Sequence, residues 1–168
     1  MNGLAETLVR LLAAKGMTLA VAEASSGGAL SAALTAAPGS SRVFLAGVSP
    51  YGNLAKMQLL GLPRCILDEY GAVSAEAAAA MASLVRQKTG ASLGAAVTAI
   101  EGPGGGTPEK PVGTVFVAVA DAHGSRAERL SLPQADARPV IRQASVEAAL
   151  KLLMEFTGGR EYGEYDAF

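Results

Sequence analysis

The chain has 168 residues, half of them hydrophobic and 17% charged, with 34 alanines and no Trp. That length fits one domain, and the apolar share excludes a disordered chain. Fourteen Lys and Arg against fifteen Asp and Glu leave a net charge of −1, without the basic excess of a nucleic-acid binder or a polybasic membrane anchor.

Leu4, Leu8, Leu11 and Leu12 recur at helical spacing and end at Lys15-Gly16, which predicts an amphipathic opening helix. Met17 to Ala24 is short and mostly apolar and reads as a buried strand, followed by a sharp turn at Ser25-Ser26-Gly27-Gly28. A helix over Ala29 to Ala37 stops at Pro38-Gly39, and Val43 to Val48 forms a second strand. Pro50-Tyr51-Gly52-Asn53 is turn chemistry, with Asn53 expected to cap a helix through Leu60 that Gly61 closes.

Ser74 caps a long helix through Lys88, with Glu76 in its first turn and Arg86 and Lys88 in its last, as the helix dipole favours. Leu93 to Ile100 is a further buried strand, and a Gly/Pro-rich loop follows over Gly102 to Gly113. Thr114 to Ala120 and the more polar Arg126 to Leu132 form a hairpin around a turn at Asp121 to Gly124, where His123 is expected to be solvated. Asp136 or Pro139 opens a last helix through Phe156. The order predicts one α/β domain over 1–156, a three-layer α/β/α sandwich whose mixed, mostly parallel sheet carries an antiparallel edge hairpin. The polar tail over 157–168, with Tyr162 and Tyr165, is expected to be loose.

The single cysteine, Cys65, forms no internal disulfide and reads as a packed small residue. One Cys and one His do not make a Cys/His zinc site. No run approaches the roughly 18 apolar residues of a membrane helix. The N-terminus lacks a positive leader region and is broken by Glu6, Arg10 and Lys15. A soluble, cytoplasmic protein without metal, cofactor, nucleic-acid or membrane partner is expected.

Three glycine- or proline-marked turns, Ser25–Gly28, Pro50–Asn53 and Gly102–Gly113, each follow a predicted strand. In open α/β sheets, ligands sit at the carboxyl ends of the strands, and turns leading into helices expose N–H groups that suit phosphate. A phosphate-bearing small molecule held where the turns converge is the functional reading; tight connections alone are the plain one. The long loop is no Walker A motif, because Pro111 follows Lys110, and Thr107 breaks G-x-G-x-x-G. Glycines such as Gly102, Gly104 and Gly105 permit close approach of backbone to ligand.

The loop Gly102-Pro-Gly-Gly-Gly-Thr-Pro-Glu-Lys-Pro-Val-Gly-Thr114 carries a resemblance over Leu4 to Phe156. With it come Pro38-Gly39-Ser40-Ser41, Tyr51-x-Asn53-x-Ala55-Lys56 with Leu60-Gly61, and Gly71-Ala72-Val73-Ser74. In order and spacing the chain resembles the C-terminal domain of the CinA family, the nicotinamide mononucleotide deamidases also called PncC. The resemblance implies an α/β domain that hydrolyses the carboxamide of nicotinamide mononucleotide to nicotinic acid mononucleotide and ammonia. It implies a serine nucleophile in Ala-Glu-Ser-Cys-Thr-Gly-Gly, with a lysine and a tyrosine of the second motif beside it, here Lys56 and Tyr51. A buried lysine of depressed pKa suits the role of base, and N–H groups of the Gly27-Gly28 turn suit an oxyanion.

The first motif reads Ala22-Glu23-Ala24-Ser25-Ser26-Gly27-Gly28 here, so Ala24 stands where the resemblance puts the serine. The family's Thr-Gly-Ile-Ala-Gly-Pro is Thr98-Ala99-Ile100-Glu101-Gly102-Pro103, and Glu101 adds a negative charge that weakens binding of a phosphate ester. Arg138 and Arg142 lie one residue later than the family's arginines, a turn of about 100° on a helix. Pro50 replaces a threonine. Glu23 reads either as a cap for nearby backbone or as a partner that orients Lys56. Thr98 reads as a ligand contact or as a backbone partner.

Three functions follow. The first is a noncatalytic relative that keeps a pocket for a pyridine mononucleotide. The second is an active amidase using Ser25 or Ser26 with Lys56 and Tyr51. The third is an interaction module that forms a homo-oligomer through the alanine-rich helix Ala75–Val85, whose plainer role is to cover the sheet.

Overall fold

The computed structural model describes residues 2–132 and 138–158. Ala5, Leu8, Val9 and Leu12 line one side of α1 (Asn2–Ala14) and bury it, and Gly16 takes the left-handed conformation just after it. The other elements are β1 (Leu19–Glu23), α2 (Ala29–Thr35), β2 (Phe44–Val48), α3 (Asn53–Ala55), α4 (Arg64–Tyr70), α5 (Ala75–Thr89), β3 (Leu93–Ala99), β4 (Thr114–Ala120), β5 (Ser125–Ser131) and α6 (Arg138–Gly158). Between α2 and β2 lies a short 3₁₀ turn, Ser40–Arg42, and α3 runs on into a wide π turn, Lys56–Leu60.

The strands form one sheet in the order β2-β1-β3-β4-β5. β1 pairs in parallel with β2 and β3, while β3–β4 and β4–β5 are antiparallel. Only β4 is therefore reversed, and the expected mixed sheet with an edge hairpin is what forms. Strand alternation divides the apolar residues between two cores. Leu19, Val21, Leu93, Val97, Val115, Val117 and Val119 face α1, α2 and α6. Ala20, Ala22, Ala96, Phe116, Ala118 and Ala120 face α5 and the Leu60–Leu62 segment. The small residues let α5 lie close. At Gly94 an added Cβ would come within 2.0 Å of the Ala82 carbonyl oxygen. The apolar side of α5, with Ala77, Ala78, Met81, Ala82 and Val85, is buried inside the chain. This is the sheet-covering role.

Four expectations need correction. Gly52, not Asn53, is the N-cap of α3, and no side chain caps that helix. Cys65 is exposed, because α4 buries no residue fully. That helix itself is missing from the sequence reading. The last helix passes Phe156 and includes Thr157, which is fully buried: its hydroxyl donates to the Leu153 carbonyl, and its carbonyl accepts from Lys15 Nζ at 2.9 Å. Asp136 and residues 159–168, with Tyr162 and Tyr165, lie outside the described residues. His123 is exposed, and its N–H, like that of Gly124, donates to Asp121 Oδ1 in the hairpin turn. Among the described residues no helix is long and apolar enough to cross a membrane.

Candidate functional site

β1, β2 and β3 run the same way, so the segments that follow them meet at one edge of the sheet. A cavity of about 280 Å³ opens there. Its wall takes Ala24 and Ser25 from the end of β1, Tyr51, Asn53 and Lys56 from the segment after β2, and Thr98 to Gly102 with Gly104 and Gly105 from β3 and its loop. Ala72, Val73 and Arg138 complete it. The structure thus brings one or more residues from each of the three marked turns to one cavity.

Lys56 is only 3% exposed, and its Nζ donates to the Tyr51 carbonyl at 2.8 Å. Burial holds its amine below the ordinary 10.5, because the charged form loses hydration there. Such an amine is suited to take a proton from a hydroxyl or water. The Ser25 hydroxyl oxygen is buried and has no hydrogen-bond partner. The Tyr51 side chain is 64% exposed at the rim. Thr98 Oγ1 donates to the Ala72 carbonyl at 2.9 Å and so ties the α4–α5 connection to the end of β3.

Glu23 has no exposed surface. Parity explains where it points: it follows Leu19 and Val21 on the α2 side of the sheet, away from Lys56. Its Oε1 accepts from the Ser31 N–H at 2.8 Å and the Ser31 hydroxyl at 2.6 Å; its Oε2 accepts from the Leu30 N–H at 2.8 Å and Ser26 Oγ at 2.7 Å. A carboxylate at a helix N-terminus is favoured by the dipole and by the unpaired N–H groups. The first turn of α2 is thereby already occupied by a protein anion.

The loop after β3 is held at both ends. Ile100 N–H donates to the Thr114 carbonyl at 2.9 Å and Gly113 N–H to the Ile100 carbonyl at 2.8 Å. Lys110 Nζ reaches the Tyr70 carbonyl at 2.7 Å. Two arginines of α6 meet the loop: Arg138 Nη2 donates to the Gly102 carbonyl, and Arg142 Nη2 pairs with Glu101 Oε2 at 3.1 Å. Glu101 is 8% exposed, and its Oε1 has no partner.

A family model described as the CinA C-terminal domain matches residues 1–157. The chain belongs to the CinA C-terminal domain family. CinA-like proteins from Synechococcus sp. (strain CC9902) and Geobacter metallireducens are 48% identical over 150 residues and 52% identical over 122 residues. The matches cover 89% and 73% of this chain but 36% and 30% of those proteins, so the chain spans about a third of the curated relatives it matches. Among solved structures, competence/damage inducible protein CihA from Agrobacterium tumefaciens superimposes with a TM-score of 0.87 at 36% identity, covering 91% of this chain and 93% of that one. Competence damage-inducible protein A from Klebsiella pneumoniae gives 0.90 at 28% identity, covering 95% and 98%.

In this CinA domain, the residues singled out from sequence divide into two groups. Ala24, Ser25, Tyr51, Asn53, Lys56, Thr98, Gly102, Gly104, Gly105 and Arg138 line the cavity. Glu23, Ser26, Gly27, Gly28 and Arg142 do not; Glu23 and Ser26 bond each other, and Gly28 is the N-cap of α2. Ala72, Val73, Ala99 and Ile100 also join the wall; they lie in the motif segments Gly71–Ser74 and Thr98–Pro103, but they bring no reactive group and so were not candidates by their chemistry. The Glu101–Arg142 pair was also not foreseen, although two departures from one family pattern lying on opposite sides of one loop were its available sign.

Proposed function

We propose that this CinA domain keeps the pocket of a pyridine-nucleotide amidohydrolase and binds a pyridine mononucleotide without hydrolysing its carboxamide. The reaction at issue is nicotinamide mononucleotide and water giving nicotinic acid mononucleotide and ammonia. One observation carries the reading: among the described residues, no serine hydroxyl is hydrogen-bonded to the Lys56 amine. Lys56 donates to the Tyr51 carbonyl, Ser26 donates to Glu23, and Ser25 Oγ has no partner. The side chain at the position of the expected nucleophile is the Ala24 methyl, which has no lone pair to attack a carbonyl. A base without a positioned hydroxyl lacks the geometry that covalent catalysis requires.

The test is ammonia release from nicotinamide mononucleotide. The wild-type protein is expected to release none above a blank, and Ala24→Ser to gain turnover. Wild-type turnover that Lys56→Ala abolishes would overturn the reading. A second reading rests on Ser25, whose unpartnered hydroxyl belongs to a residue of the same wall. A rotation about its Cα–Cβ bond is the movement by which it would take over the attack. Wild-type turnover lost in Ser25→Ala would establish that reading in place of the first.

A further inference from the structure

Among the described residues, two of the buried polar atoms without a hydrogen-bond partner belong to one ion pair. Arg142 Nη2 donates to Glu101 Oε2 at 3.1 Å, while Arg142 Nε and Glu101 Oε1 are left over. Both have almost no accessible surface, so neither solvent nor a molecule in the cavity reaches them. They are complementary: a guanidinium Nε–H only donates, and an ionised carboxylate oxygen only accepts. A guanidinium offers Nε–H and one Nη–H side by side, at the spacing of the two oxygens of a carboxylate. Each atom left alone in a buried place is costly, and the other member of the pair carries what it lacks.

We propose that Glu101 and Arg142 close into a side-on fork, Nη2–H to Oε2 and Nε–H to Oε1, and that this fork is a positioning device that fastens the loop wall of the cavity to α6. The adjustment is a turn of the carboxylate plane about Cγ–Cδ, a torsion with a broad profile. The wall needs a fastening from outside. Gly102, Gly104 and Gly105 line the cavity without side chains to anchor them. Gly102 and Gly105 take left-handed conformations, and a carbon added to Gly104 would meet nothing within 4 Å. Glycines lose the most conformational freedom on ordering. Arg138 and Arg142, one turn apart on α6, grip consecutive residues at the start of this wall: Arg138 donates to the Gly102 carbonyl and Arg142 to the Glu101 carboxylate. Glu101 and Arg142 thus act on the site through the loop, whichever ligand the cavity takes.

NMR of the wild-type protein, Glu101→Gln, Arg142→Lys and the double variant tests this. Lysine keeps the charge of Arg142 but has no fork, and glutamine keeps the shape of Glu101 but puts a donor where one of the two acceptors must be. The Arg142 Nε–H is expected to exchange with solvent about tenfold more slowly in the wild-type protein than in Glu101→Gln, the worth of one hydrogen bond to a charged group. Backbone order parameters at Gly104 and Gly105 are expected to fall from about 0.85 to below about 0.6 in each single variant, while β4 keeps its wild-type values. The double variant is expected to fall no further, since both changes break the same fork. Wild-type order at Gly104 and Gly105 in Arg142→Lys, or an Nε–H exchange rate that Glu101→Gln does not change, overturns the fork. A loss of order that spreads to β4 would make the pair a general support of the fold and overturn its positioning role.

Discussion

Glu23 shows how much one side chain settles. Its carboxylate takes four donors with no exposed surface. Removing it leaves two helix N–H groups and two hydroxyls without their acceptor. Hydrogen bonds to a buried charge contribute about 1.5–3 kcal/mol each, with strong coupling among them. Glu23→Ala is therefore expected to destabilise the fold by about 3–5 kcal/mol, read as a lower urea midpoint with an unchanged slope. Its parity with Leu19 and Val21 was visible in the sequence, but the motif drew it toward Lys56. Neighbours in a motif are neighbours in chain, and a strand sends them to opposite faces. Lys56 gives a prediction in pH. Its amine is held below 10.5 by burial, so between its folded value and 10.5 the unfolded chain binds more protons than the folded one. Stability then rises with pH through that window, by at most about 1.4 kcal/mol per pH unit, and below the window the burial penalty is present in full. Lys56→Met should lack this rise. Equal pH slopes for both proteins in urea unfolding, measured up to pH 10.5, would refute the burial effect.

Among the elements, α5 was the most legible and α4 the least. Ser74 accepts from the Ala77 N–H at 3.1 Å, Glu76 and Arg86 sit at the dipole-favoured ends, and Gly90 closes the helix as its sequence announces. α4 has no apolar stripe to betray it: Ile66 and Leu67 are only partly buried, and its first turn follows Pro63 without a side-chain cap. The π turn at Lys56–Leu60 was equally hidden, because its pattern reads as ordinary helix and only packing decides the wider turn. The cavity was legible as three turns after three strands, but which side chains face it depends on strand parity and on loop closure across the sheet. Gly94 tests the seating of α5 on β3. A methyl there would lie 2.0 Å from the Ala82 oxygen and 2.8 Å from the Arg86 Cβ, so the helix must shift as a body. Gly94→Ala is expected to cost about 3 kcal/mol. Gly104→Ala, whose added carbon meets nothing within 4 Å, is the control expected to leave the urea midpoint unchanged.

For the whole molecule, the sheet is both scaffold and partition. Leucines and valines thicken the side that holds α1, α2 and α6, while alanines thin the side that holds α5, so the two layers sit at different depths on the same strands. The parallel β2-β1-β3 set brings three chain exits to one edge and makes the cavity a consequence of topology. Because β1, β3 and β4 contribute residues to both cores, neither layer has a sheet of its own to fold on. Unfolding should therefore be one cooperative transition. Leu152→Ala opens the first core and Met81→Ala the second, both at fully buried positions. Each is expected to lower stability by about 2–5 kcal/mol and to move the same single midpoint. Far-UV circular dichroism follows both layers at once, and hydrogen exchange of the α5 and α6 amides follows each separately. Protection lost from α5 alone in Met81→Ala, with α6 still protected at wild-type level, would mean that the layers open independently and that the shared strands do not couple them.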